Sequence, residues 1–113
     1  MYATLDEMRD MIVADLTNEL KKDEMFDAEL LTAKVDNAMR EVRAARRYPP
    51  FMDDLSVLYD IARYERNVRN LALYDYNQVG MEHEVSHSES GISRTYADRN
   101  KMFTGISPLS RVI

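Results

Sequence analysis

The chain contains no cysteine, no tryptophan, and only three glycines and three prolines in 113 residues. Without cysteine it forms no disulfide, thiolate nucleophile or cysteine-ligated metal site, which is typical of proteins that mature in a reducing cytosol. No apolar run approaches the roughly 20 residues needed to cross a bilayer. The N-terminus is acidic where a secretion signal is basic, so we expect an untargeted chain without a membrane span.

A surplus of positive charge is also missing, because 15 lysines and arginines face 20 acidic residues and give a net charge of −5. Nucleic acids and acidic membranes are bound through clustered cations. We therefore expect no membrane partner and no general affinity for DNA. The length fits a single domain covering residues 1–113.

The pattern of apolar residues predicts three helices. A capping-box pair, Thr4 and Glu7, begins the first helix, which runs to about Lys21. The second begins after Asp27 as its N-cap and ends near Tyr48, because prolines follow. The third and longest runs from about Asp53 to Tyr76, with Gly80 close behind. The residues expected to face inward are Leu5, Met8, Ile12, Leu16, Leu20, Leu31, Val35, Ala38, Val42, Ala45, Leu55, Leu58, Ile61, Ala62, Val68, Leu71 and Ala72.

The last third of the chain is different in character. Alternation of apolar and polar residues predicts a β-hairpin that pairs Val85–Ser88 with Ile92–Tyr96. Asp98 is positioned to cap a short helix through Met102, and an apolar tail, Leu109–Ile113, follows. The predicted fold class is mainly α: a small three- to four-helix bundle (helical core about 4–77) with a short β-hairpin (polar loop and hairpin about 80–97) and an extended C-terminal tail (short helix and tail 98–113).

Two histidines, His83 and His87, are the only candidates for metal chemistry. Their spacing places both imidazoles on one face of a helix or a strand, with Glu82, Glu84 and Glu89 nearby. The segment does not have a helical pattern and offers no third ligand at a fixed position, so a solvated loop is the favoured interpretation. Ser86 and Ser88 lack an orienting acid and oxyanion donors. We predict no enzyme, no catalytic or metal residue and no cofactor.

Arginines crowd the end of the second helix and the start of the third. They are Arg40, Arg43, Arg46, Arg47, Arg63, Arg66 and Arg69. Interleaved acids, such as Asp36 one turn before Arg40, favour a salt-bridged surface over a phosphate site. Tyr59, Tyr64, Tyr74, Tyr76 and the eight methionines are interpreted as core and interface residues rather than a ligand pocket.

Four segments taken together resemble a known family. They are Met8-Arg9-Asp10-Met11, Arg46-Arg47-Tyr48-Pro49, the long helix from Leu55 to Tyr76, and Ser88-Glu89-Ser90-Gly91-Ile92-Ser93-Arg94-Thr95-Tyr96. Across nearly the whole chain this pattern is similar to the head–tail connector (adaptor) proteins of tailed bacteriophages. The most specific part lies between Gly80 and Asp98, where the family also has a polar loop, a glycine and a short strand that ends in tyrosine.

The resemblance implies a structural virion protein at the head–tail interface, assembled in the host cytoplasm. Such a subunit docks on the portal protein after DNA packaging and closes into a homo-oligomeric ring of about a dozen copies. It presents a platform for a downstream connector or tail-completion protein, while DNA passes through the channel without specific binding. The implied interface includes the hairpin and the tail, with Ile92, Arg94, Tyr96, Leu109, Val112 and Ile113 as its candidate residues.

Two other functions stay open from the sequence. The first is a cytosolic helical interaction or regulatory module that forms a dimer or a one-to-one complex, with a C-terminal third that folds onto its partner. The second is a small metal-dependent hydrolase built on His83, His87 and neighbouring glutamates.

Overall fold

The structure is a computed structural model that describes residues 2–81 and 99–108. Four helices follow one another: α1 (Leu5–Leu20), α2 (Ala28–Arg46), α3 (Asp54–Ile61) and α4 (Glu65–Met81). A single 3₁₀ turn, Ala62–Tyr64, joins α3 to α4. The described residues contain no strand. The mainly helical fold class is therefore confirmed, and the hairpin at 85–96 and the tail at 109–113 lie outside the described ranges.

The helix starts follow their predicted caps. The Thr4 hydroxyl accepts the N–H of Glu7 at 3.0 Å, and the Glu7 carboxylate accepts the N–H of Ala3 at 3.2 Å. Asp27 and Asp53 cap α2 and α3 in the same way, through the N–H groups of Leu30 and Ser56. Each cap satisfies a backbone donor that a helix start leaves unpaired, which fixes where the element begins.

The core lies between α2 and α4, with α1 packed across them and the loop before α2 held against the end of α4. The Tyr76 hydroxyl accepts the N–H of Asp27 at 3.0 Å, and its ring lies 6.3 Å from that of Phe26. Because the other end of α2 contacts Tyr64, just before α4, the two helices run antiparallel. Thirteen buried side chains form one cluster: Met8, Ile12, Leu16, Leu31, Val35, Ala38, Met39, Val42, Leu58, Ile61, Val68, Leu71 and Ala72.

The predicted single third helix is wrong in its details. The chain tightens into the 3₁₀ turn directly after Ile61, and the carboxylate of the preceding Asp60 is held by side chains from the end of α2. The helix also continues through Gly80 to Met81 instead of ending near Tyr76. Leu55, expected inside, is 51% exposed because it lies about 200° around the short α3 from the buried Val57.

Residues 99–108 pack onto the bundle. Residues 99–101 are helical, and the side chains of Met102, Phe103 and Ile106 are partly buried against the core. The Asn67 amide donates to the carbonyls of Met102 and Thr104, at 2.9 and 3.2 Å. The chain is thus anchored to the bundle up to its last described residues.

An arginine secures the start of this segment. The Arg99 guanidinium donates two hydrogen bonds to Asp75, at 2.8 and 2.9 Å, and one more to Glu41 on α2. Its hydrogen bonds to the two carboxylates raise the pKa of Arg99. This residue therefore ties the segment to both long helices at once.

Candidate interaction surface

The corner between α2 and α3 has an inner side built around one buried arginine. Arg46 is 6% exposed, and its Nε and Nη2 atoms donate to the two oxygens of Asp60 at 2.8 and 2.9 Å. Its Nη1 atom donates to the carbonyl of Ser107 at 2.7 Å, and its guanidinium lies 5.1 Å from the centre of the Tyr64 ring. The Tyr48 hydroxyl donates to Asp60 at 2.7 Å. We call these five residues the Arg46 cluster.

The pKa values within the Arg46 cluster follow from these contacts. Burial alone raises the pKa of the Asp60 carboxyl, but the hydrogen bonds from Arg46 and Tyr48 outweigh it and leave that pKa below its ordinary value. Burial and the bond to Asp60 raise the pKa of Tyr48. The carboxylate and the phenol therefore hold fixed protonation states near neutral pH. Neither is prepared for proton transfer, so the cluster is a structural clasp between α2, α3 and residue 107.

The outer side of the same corner exposes three large apolar or aromatic residues. Phe51, Leu55 and Tyr59 recur at four-residue spacing and are 89, 51 and 53% exposed. We call them the outer stripe. Beside it lies a groove of about 610 Å³, lined by Ala3, Thr4, Leu5, Asp6, Asp54 and Leu55. Contiguous exposed apolar residues next to a groove are typical of a protein contact site.

Three arginines on the outer side of α2 form a second candidate surface. Arg40, Arg43 and Arg47 are exposed at spacings of three and four residues, and we call them the basic face. With Ala44 and Tyr48 they line a groove of about 380 Å³. The predicted pair of Asp36 with Arg40 is wrong, because Asp36 lies 3.6 Å from Arg9 on α1. Within the described ranges, no carboxylate pairs with the basic face.

The remaining predicted site residues are divided between the described and undescribed parts of the chain. Ile92, Arg94, Tyr96, Leu109, Val112 and Ile113 lie outside the described residues, as do His83, His87, Ser86 and Ser88. Of the tyrosines, Tyr64 and Tyr76 make the internal contacts described above, and Tyr59 is on the outer stripe. Residues 2–81 and 99–108 hold no group of three potential metal ligands.

Sequence reasoning missed the outer stripe, although a signal for it exists. The eight residues of α3, DLSVLYDI, contain five large apolar or aromatic side chains. One face of so short a helix buries only three of them, Val57, Leu58 and Ile61. An excess of apolar residues over what one face can bury indicates a second contact face.

No protein-family model matches the chain, and the searches of curated proteins and of solved structures found no match either. Among the described residues, none of the helices has the length and apolar character needed to span a membrane. Arguments about function therefore depend on the surfaces described above and on the resemblance noted from the sequence.

Proposed function

We propose that this chain is a structural virion protein, a head–tail connector that docks on the portal after DNA packaging and joins head to tail as a ring. The observation that carries the proposal is the outer stripe, a row of exposed apolar residues on a small helical bundle. The resemblance of the sequence to head–tail connectors supplies the identity of the partners. Catalysis is no part of this function.

The chemical character of the outer stripe indicates that this surface is covered by a partner protein. Phe51 and Leu55 have apolar side chains that make no hydrogen bonds with water. Burial of one such side chain in a contact contributes about 1.5–3 kcal/mol to the free energy of association. Tyr59 suits a contact that is apolar at one end and wet at the other. A chain that kept this stripe exposed would be prone to association, so a permanent or regulated partner explains why the stripe is there.

The anchored segment 99–108 supports a role for the C-terminal tail. Arg46 holds the carbonyl of Ser107, so a tail beginning at Leu109 starts from a fixed point beside α3. We propose that this tail, through Leu109, Val112 and Ile113, contacts the portal or a neighbouring subunit. The hairpin predicted at Val85–Ser88 and Ile92–Tyr96, with Ile92, Arg94 and Tyr96, reaches the neighbour in the same proposal.

The net charge of −5 agrees with a channel through which DNA moves. Like charges on the wall and on the phosphate backbone prevent adhesion, and a connector needs passage of DNA rather than recognition of it. In this proposal the protein acts by geometry: the bundle forms the ring wall, and its projections join the portal and the next connector or tail-completion protein at the head–tail interface of the virion.

The test is attachment to a portal protein, measured by light scattering and by electron micrographs of the complexes. We expect the double variant L55S/Y59S to keep its helical content but to lose the ring or its attachment to the portal. Deletion after Pro108 is expected to do the same. Met11→Ser is the matched control, because Met11 is also more than half exposed but lies on α1.

Normal attachment by both altered proteins would contradict the proposal. A stable dimer or one-to-one complex with a cytosolic protein, and no ring with or without the portal, would instead favour an interaction module. The same stripe would serve that function, so the partner and the stoichiometry decide between the two.

A further inference from the structure

The basic face differs from the chain's other arginines in what it contacts. Arg46, Arg69 and Arg99 each bind carboxylates from other elements. Arg40, Arg43 and Arg47 bind no carboxylate of residues 2–81 or 99–108, although they border a groove with Ala44 and Tyr48. A guanidinium presents its donors in a fixed fork that matches a carboxylate. Three such groups around one groove therefore form a receptor for an acidic surface.

The turn between α1 and α2 is a surface of the opposite charge. We call Asp23, Glu24, Asp27 and Glu29 the acidic turn, and only Lys21 and Lys22 oppose them there. The aspartates are occupied by the N–H groups of Met25 and Leu30, whereas Glu24 and Glu29 have no partner among the described residues. Met25 is 83% exposed in the middle of this turn. The exposed Met25 thus directly follows one of the two carboxylates that have no partner in the described part of the chain.

These two surfaces cannot meet within one copy. The acidic turn lies at the start of α2, with Glu29 in its first turn, and the basic face lies at the other end of the same helix, with Arg47 as the C-cap. At 1.5 Å per residue, Arg43 is about 22 Å along the axis from Ala28. The two surfaces can therefore pair with each other only between copies.

We propose that the acidic turn of one copy docks on the basic face of the next, with Met25 in the groove and Glu24 and Glu29 paired with the arginines. The two surfaces are different patches of one chain, so the contact is heterologous. A contact of this kind builds a ring when its rotation closes and a filament when it does not. The inference rests on the proposed function, which requires a ring but does not say which surfaces form it.

A second copy fits the basic face better than nucleic acid does. The whole chain carries a net charge of −5, which opposes the approach of a phosphate backbone. Another copy instead offers a local group of carboxylates, the acidic turn, to the only arginine row that lacks carboxylates in the described residues. A flexible methionine also suits a groove whose floor is formed by an alanine and a tyrosine.

The absence of native cysteine allows a clean test by disulfide trapping. One chain carries Lys22→Cys next to the acidic turn, and a second carries Ala44→Cys in the groove, so the carboxylates of the acidic turn, Met25 and the three arginines are all kept. The two are mixed and oxidised, and the covalent heterodimer is quantified by intact mass. Ala33→Cys replaces Ala44→Cys in the matched control, because Ala33 is another exposed alanine of α2.

We expect the Lys22–Ala44 heterodimer to exceed the Ala33 control about tenfold, the ratio that a preference of about 1.4 kcal/mol gives. Adding Arg43→Glu to the A44C chain should reduce the yield to the control level. Adding Glu24→Arg to the K22C chain should then restore it, since the two charges have been exchanged.

A yield no greater than the Ala33 control overturns the inference. So does a yield that Arg43→Glu leaves unchanged. If the unmodified protein forms rings in micrographs while trapping fails, the proposed function stands and this contact does not. If trapping succeeds but micrographs show only open chains of subunits, the contact between copies is supported and the proposed function as a closed ring is contradicted.

Discussion

Arg46 and Arg47 are neighbours in the sequence and belong to opposite sides of the same corner. Arg46 is buried, and each of its three guanidinium nitrogens donates a hydrogen bond to Asp60 or to the carbonyl of Ser107. Arg47 is exposed, has a left-handed backbone with φ of 52°, and belongs to the basic face. One position holds the bundle together, whereas the other is available to a partner.

The inner side of the corner between α2 and α3 therefore stabilises the fold, whereas its outer side is available for association with a partner. On the inner side, polar groups are paired and buried, so changes there should alter folding. On the outer side, apolar and cationic groups are exposed, so changes there should alter assembly and leave folding nearly intact. Each prediction below tests this division, beginning with the largest expected effect on stability.

Arg46→Ala should lower the free energy of unfolding by about 3–5 kcal/mol, because it leaves the Asp60 carboxylate buried without its partner. Urea denaturation monitored by circular dichroism measures this loss. Arg43→Ala is the control, and its effect should stay within about 0.5 kcal/mol because Arg43 is exposed and has no ion pair with any described residue. Equal losses in the two variants would show that the inner and outer sides are not energetically distinct.

Acid should weaken the inner side in a way that depends on Asp60. The pKa of Asp60 is lower in the folded protein than the ordinary value of about 3.9, so the folded state holds fewer protons at this site. The stabilisation is complete above about pH 4 and is lost as the pH falls through the folded pKa. Asp60→Asn cannot titrate, so its stability deficit relative to the unmodified protein should shrink on acidification from pH 6. A deficit that stays constant across that range would contradict this.

Local patterns in the sequence predicted where the helices begin and which faces of α1 and α2 are buried. The reason is that caps and apolar spacing act within a few residues, as at Thr4 and Asp27. The same reasoning placed Arg46 with the solvent-facing arginines. Its burial depends on Asp60, 14 residues later, and on the carbonyl of Ser107, 61 residues later. No periodic pattern encodes contacts of that range.

The ion pairs show the same limit. Helical spacing assigned Asp36 to Arg40, one turn away, but the carboxylate lies closer to Arg9 on the neighbouring helix. Packing of α1 against α2 decides this choice, and it leaves Arg40 free for the basic face. The candidate surface could therefore be recognised only after the helices had been assembled, because it is defined by the partners that its arginines lack.

Arg47→Gly should have the smallest effect on stability, and it should be favourable. A left-handed backbone costs about 1–2 kcal/mol for a residue with a Cβ atom, and glycine removes most of that cost at a helix end. Part of the gain is offset by the greater freedom of glycine in the unfolded chain, so we expect an increase of up to about 1 kcal/mol. Arg43→Gly makes the same chemical change inside α2 and should lower stability by about 1 kcal/mol.

Thermal unfolding shows whether Arg47→Gly raises stability and Arg43→Gly lowers it. Each change is then added to the Ala44→Cys chain, and disulfide trapping with the Lys22→Cys chain measures association. Arg47→Gly should be more stable yet associate less well, because one arginine of the basic face is gone. A natural arginine in a strained conformation is then explained by its partner, since a functional contact is a common reason for a less stable residue to persist. If Arg47→Gly gains stability and traps as well as the unmodified chain, Arg47 is not part of the contact, and the basic face is reduced to Arg40 and Arg43.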